Sequence, residues 1–195
     1  MCYLDELSAS IVNDCDNLAI AGIEADVVLI PFANFDKAGS TINATNRILL
    51  DDLLCQSGTS GFKLEGIKQL NGFDSEFVPV AESVDRWKHT FRGVIMTPSA
   101  ENRLQASKLS KGTSYLVVIN KKYKGANSED AFIVLGWDAG LYITEMTESS
   151  KDNNGAILFT LSSQEDTLEY DMPRNLLETD YATTLIAFDA QFVQA

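Results

Sequence analysis

Residues 113–163 restrict the fold more than any other part of the chain. Short β-prone runs follow one another there at turn spacing: "TSYLVVIN" (113–120), "AFIVLGW" (131–137), "LYITEMTES" (141–149) and "AILFTLSS" (156–163). Each is rich in Val, Ile, Thr, Tyr or Phe, the residues that fit a pleated surface. Polar "KKYKGANSED" separates the first two, and "SKDNNG" the last two. Asn154-Gly155 is a strong two-residue hairpin signal. Strands joined by short turns favour antiparallel pairing. Between the second and third runs, Gly136-Trp137-Asp138-Ala139-Gly140 predicts a hairpin tip. Asp138 to Gly140 would form the turn with Gly140 left-handed, Gly136 would mark a close backbone approach, and Trp137 would pack. A phosphate-binding loop is disfavoured: no Lys follows the glycines and no helix begins there.

The rest of the chain fits the same class. "EADVVLIPF" (24–32) reads as a strand that ends at Pro31, which cannot donate to a ladder. Residues 33–61 are rich in Asn, Gly, Ser and Thr and predict a long loop or insertion. Within them, "RILLDDLLC" (47–55) suits a strand or a helical turn. "FKLEGIKQL" (62–70) alternates, with a possible bulge at Gly66. Together with 75–87 and 88–96 it predicts a meander. The best helix is 97–112, with Thr97 as cap, Pro98 at its first position and Gly112 at its end. Glu101, Lys108 and Lys111 match the helix dipole. Its apolar face is thin, so it should flank a sheet. "TTLIAFDA" (183–190) reads as a closing strand, and 1–20 as an N-terminal arm. The expected fold class is mainly β with one flanking α-helix: an antiparallel β-sandwich or β-barrel in a single domain, 1–195.

Chemistry has few footholds. The only histidine is His89, and neither Gly-x-Ser-x-Gly nor a P-loop occurs. The acid pairs Asp51-Asp52, Glu129-Asp130 and Glu165-Asp166 are what an acidic chain yields by composition. "KDNNG" reads as a tight turn and lacks the closing Glu of a calcium loop. Cys2, Cys15 and Cys55 are odd in number and far apart, suggesting neither disulfides nor zinc and fitting synthesis in a reducing compartment. We therefore expect no enzyme, no catalytic residues, no cofactor and no metal site. The start carries Asp5 and Glu6 where a signal peptide carries Lys or Arg, and no apolar run approaches about 18 residues, so no membrane insertion is expected. The formal net charge is -13, from 28 Asp plus Glu against 15 Lys plus Arg. Basic clusters are confined to Lys108/Lys111 and "NKKYKG" (120–125), too little for a nucleic-acid-reading surface. Acidity serves solubility, or keeps passing DNA from sticking. Trp87, Trp137 and Tyr142 suit core packing. As a stacking platform, Trp87 and Trp137 would instead suit a carbohydrate-binding β domain.

The strand "YLVVIN", the "AFIVLGWDAGLYITEM" segment and the polar turn and strand of "SSKDNNGAILFTLSS" resemble tail proteins of phages of Bacteroides-type hosts, including crAss-like phages. "CDNLAIAGIEADVVLIPF" is similar as well. The likeness is best over 114–163, and it departs in segment 33–61 and in the extra acidity. The resemblance implies a tail tube or tail hub protein of tail-tube type fold, made in the bacterial host cytoplasm and resident in the virion tail. It implies a homo-oligomeric ring that contacts other tail or portal-proximal proteins and passes DNA through its lumen without specific binding. Residues 33–61 would then reach adjacent subunits. Another virion part, a capsid decoration protein or a tail adaptor, is the near alternative.

Overall fold

In a computed structural model, which describes residues 6–67, 70–81 and 83–194, the apolar runs form two β-sheets. Cys2 and the first five residues of the expected arm lie outside the described residues. The strands are β1 (Ile23–Pro31), β2 (Thr41–Ile42), β3 (Leu49–Asp52), β4 (Phe62–Leu64), β5 (Gly72–Val78), β6 (Arg86–Ile95), β7 (Tyr115–Lys121), β8 (Phe132–Leu135), β9 (Tyr142–Glu148), β10 (Ile157–Ser162) and β11 (Arg174–Leu176). The first sheet runs β2-β3-β11-β8-β7-β1-β4 and the second β5-β6-β10-β9. All neighbours are antiparallel except β3 and β11, which pair in parallel. The architecture is mainly β and consistent with a sandwich. It does not close into the barrel offered as an alternative, because each sheet keeps its own two edge strands.

Strand alternation sends the side chains of the first sheet into two cores. Val27, Leu29, Val117, Ile119, Ile133 and Leu135 face the second sheet and meet its Phe91, Phe159 and Leu161. Val28, Ile30, Leu116, Val118, Phe132 and Val134 face the other way and meet Phe35, Leu53, Cys55, Phe188 and Phe192. A sheet covered on both faces has no polar side, so its strands read as continuous apolar runs. That is why "VVLI" and "LVVI" lack alternation.

Helix α1 (Ala100–Lys111) flanks the sandwich, and only Ala106 is buried in it. Its cap is Ser99, whose Oγ accepts the Asn102 N–H at 3.1 Å. Thr97 and Pro98 precede the helix and do not start it. The chain also has a second helix where a strand was expected: α2 (Tyr181–Asp189) replaces the strand read over 183–190. The β-branched Thr183, Thr184 and Ile186 favour a strand locally. Helical spacing wins because Tyr181, Thr184, Leu185 and Phe188 fall on one face and cover the first sheet. Asp180 caps it, with Oδ1 accepting the Thr183 N–H at 2.8 Å.

Three further expectations change. Segment 33–61 is not a free loop: it supplies β2 and β3 and buries Phe35, Leu50, Leu53 and Cys55. Its polar residues bond the segment to itself, as where Asn43 Oδ1 accepts from the Thr45 and Asn46 N–H groups at 3.0 Å. The meander over 62–96 is split. β5 and β6 pair in the second sheet, while β4 pairs with β1 in the first. Gly66 follows β4 instead of bulging it, and a Cβ there would collide with the Ala25 carbonyl oxygen.

Candidate functional site

A buried polar cluster surrounds Gly136–Gly140. This stretch is not a hairpin tip: β8 before it belongs to the first sheet and β9 after it to the second. The chain turns a corner between sheets. The Gly140 N–H donates to the Gly136 carbonyl at 2.9 Å, and both glycines have positive φ, +77° and +76°. Gly140 is left-handed as the sequence predicts. Leu141 then bridges to Tyr115 of β7 through two backbone bonds of 2.9 and 2.8 Å. Trp137 is buried, edge-on to Phe35 with centroids 4.9 Å apart.

Segment 169–174, just before and into β11, clasps this corner. Glu169 is 1% exposed. Its Oε2 accepts the Asp138 N–H at 2.7 Å and its Oε1 the Ala139 N–H at 3.2 Å. Asp138 reaches back, accepting the Tyr170 N–H at 3.2 Å and pairing with Lys37 Nζ at 3.1 Å. Burial raises the Glu169 carboxyl to about 7, and the Asp138 charge adds to it. The two backbone N–H bonds and Lys37 pull the other way.

His89 of β6 lies under the same corner. Its Nδ1 accepts the Gly136 N–H at 3.3 Å, so Nε2 carries the proton and donates to the Asp171 carbonyl at 3.0 Å. Burial pushes its pKa down to about 4, and the imidazole is neutral near pH 7. Asp171 pairs with Arg47 at 3.0 Å and with buried Arg174 at 3.4 Å. Arg174 also donates to the Arg47 carbonyl, and its guanidinium lies 5.8 Å from the Trp137 ring centroid. Buried charges are tolerable when paired and hydrogen-bonded, and each group here has such a partner within the chain. What the arrangement does is hold a sheet-to-sheet corner in one shape. Among the described residues, three surface cavities have linings that do not include His89, Asp138, Glu169, Asp171 or Arg174.

The other candidates are scattered. Asp51 on β3 accepts from Asn43 Nδ2 at 2.9 Å, Asp130 accepts from Asn175 Nδ2 at 2.7 Å, and Glu165 and Asp166 are exposed. Among the described residues no three His, Cys, Asp or Glu converge as metal ligands. Asn154 and Gly155 both have positive φ, at 51° and 81°, making "KDNNG" the turn that joins β9 to β10. Two of the three "NKKYKG" lysines have partners within the chain: Lys121 bonds Asn175 at 3.3 Å, and Lys124 bonds Asn120 and pairs with Glu24 at 3.5 Å. Trp87 meets Phe77 edge-on at 5.6 Å. With Trp137 in the core, the two tryptophans share no exposed platform. Sequence reasoning passed over Glu169, Asp171 and Arg174 altogether. No periodicity marks them, and their spacing from Asp138 is set by the fold.

Comparison with protein-family models, with curated proteins and with solved structures returned no match.

Proposed function

We propose that the chain is a structural component of a phage tail, a hub or tube subunit that assembles with copies of itself into a ring around the DNA-ejection channel. The observation that carries this reading is the state of the sheet edges. β2, β4 and β5 are edge strands, and each carries an exposed large apolar residue: Ile42 at 38%, Phe62 at 59% and Phe77 at 50% exposure. An unpaired edge with apolar side chains is a template for another strand or another chain, and a ring covers it. The resemblance over 114–163 points the same way. So does the outer face of the second sheet, where Asp74, Glu76, Glu145 and Glu165 outnumber Lys88 and Arg92 around one open cavity. An acidic wall lets DNA pass without holding it. At the corner, the charged groups are matched within the chain, which suits a shape-holding role better than catalysis.

Sedimentation and electron microscopy of the purified protein, with mass spectrometry of separated virion heads and tails, test the reading. Rings together with recovery in the tail fraction are expected. Recovery in heads alone replaces it with a capsid decoration role. A protein that stays monomeric at high concentration and is missing from virions refutes it. A carbohydrate-binding role has less support, because Trp137 is 2% exposed and cannot stack on a sugar.

A further inference from the structure

The second sheet is narrower than the first, and beside β4 the space between them opens to the surface. The opening is a groove of about 670 Å³, with Phe62 and Leu64 of β4 and Ala106 and Leu109 of α1 among its lining. Leu29 and Phe159 line it too, and both belong to the inter-sheet core. Both stay buried, at 7% and 2% exposure, so the groove ends against the core. A groove of this kind beside a free sheet edge offers pockets for alternate side chains of an added strand. The outer edge of β4 is unpaired and offers its backbone groups to an added strand.

A matching element lies on the same chain. Residues 6–22 form no helix or strand. Leu7, Ile11 and Val12 are 80%, 84% and 82% exposed, and Leu18 and Ile20 are largely exposed as well. The segment carries Glu6, Asp14 and Asp16 and no Lys or Arg. The groove has the opposite sign. Lys108 lines it and Lys111 ends the same helix, while Lys63, also in the lining, is already paired with Asp26 at 2.9 Å. Lys108 and Lys111 make no ion pair among the described residues. The arm leaves the fold at the Ile23 end of β1, whereas the groove lies near Leu29 and Pro31. At about 3.4 Å per residue that is roughly 20 Å along the strand.

We propose that the arm of one copy fills this groove on a second copy. Val12 enters the groove, Asp14 and Asp16 on the same face of the added strand meet Lys108 and Lys111, Ile11 lies on the opposite face, and the arm extends the first sheet beyond β4. Where each copy passes its arm on to the next and not back to its donor, the contact is head-to-tail and generates a ring wherever its rotation closes. This names the contact that the ring reading needs, and it rests on that reading.

Cysteine cross-linking of full-length chains tests it, because Cys15 is exposed within the arm. The donor chain carries Cys2→Ser and keeps Cys15. The acceptor carries Cys2→Ser, Cys15→Ser and Gln105→Cys at the groove, and a control acceptor carries Gln164→Cys instead, on the outer face of the second sheet. After mixing and mild oxidation, a donor–acceptor disulfide is expected at position 105 and not at 164. Adding Ile11→Asp and Val12→Asp to the donor should abolish it. The same two substitutions in an otherwise unaltered chain should abolish assembly by sedimentation while leaving the unfolding midpoint of the dilute protein in place. Equal cross-linking at both positions overturns the proposal. So does an intrachain disulfide in a dilute chain bearing both Cys15 and Gln105→Cys. Assembly that survives Ile11→Asp with Val12→Asp overturns arm exchange and leaves the ring reading standing. A chain that never assembles overturns both.

Discussion

Glu169 and His89 sit against the same corner and titrate in opposite senses, so their effects on stability should nearly cancel in the parent protein. The Glu169 carboxyl rises from 4.5 to about 7 on burial, and the His89 imidazole falls from 6.5 to about 4. Tenfold in proton affinity corresponds to about 1.4 kcal/mol, so each shift is of order 3 kcal/mol. For Glu169 the stabilisation is fully present below pH 4.5 and is lost as pH rises through about 7, because the unfolded chain releases its proton first. For His89 it is fully present above pH 6.5 and is lost as pH falls through about 4, because the unfolded chain takes up a proton first. Between pH 4.5 and 6.5 the two slopes oppose. Single variants separate them. Denaturant unfolding of Glu169→Gln, referenced to the parent at each pH, should show relative stability climbing by about 3 kcal/mol from pH 4.5 to 7. His89→Gln can still accept from Gly136 and donate to Asp171, and its relative stability should climb by a similar amount as pH falls from 6.5 to 4. Referencing to the parent removes the slope of the other carboxylates. A flat difference curve for Glu169→Gln would refute the reasoning: it would mean that the two backbone N–H bonds and Lys37 hold Glu169 ionised with no penalty.

The corner makes further predictions. At Gly140 a Cβ would lie 2.7 Å from Ser114 Oγ, whereas at Gly155 it would meet nothing within 4 Å, although both residues have positive φ. Gly155→Ala should therefore cost only the left-handed strain of about 1–2 kcal/mol, and Gly140→Ala clearly more; equal losses by chemical denaturation would count against a tightly packed corner. Trp137→Ala should cost about 3–5 kcal/mol in the same assay, as a large buried aromatic; glycan binding lost at full stability would contradict its burial. Burial raises the Cys55 thiol to about 11, while Cys15 is exposed, so iodoacetamide should label Cys15 in the folded protein and reach Cys55 only on unfolding. Labelling at equal rates, read by mass spectrometry, would rule out the packing given to segment 33–61.

What the sequence made legible, and what it hid, follows from the range over which each force acts. The strands at 24–31, 115–121 and 157–162 were readable because burial on one or both faces writes itself into consecutive residues. The left-handed Gly140 and Asn154-Gly155 were readable because φ is a local property. Sheet membership is not local. "FIVLGWDAGLYITEM" has the turn residues and flanking strands of a hairpin, and only the partners of each strand, β7 and β11 on one side and β10 on the other, turn it into a corner. The same limit hid the clasp. Glu169 is 31 residues from Asp138, and Arg174 is 127 from Arg47. Each looks like surface charge in a chain with 28 acidic residues. A different failure produced the strand read over 183–190. Apolar and hydroxyl residues at 181, 184, 185 and 188 carry helical spacing, and Asp180 stands at the cap position, so the periodicity was present and was outweighed by β-branched composition. Spacing deserves the greater weight there, because packing against the first sheet, and not intrinsic propensity, supplies most of the stability of a nine-residue helix.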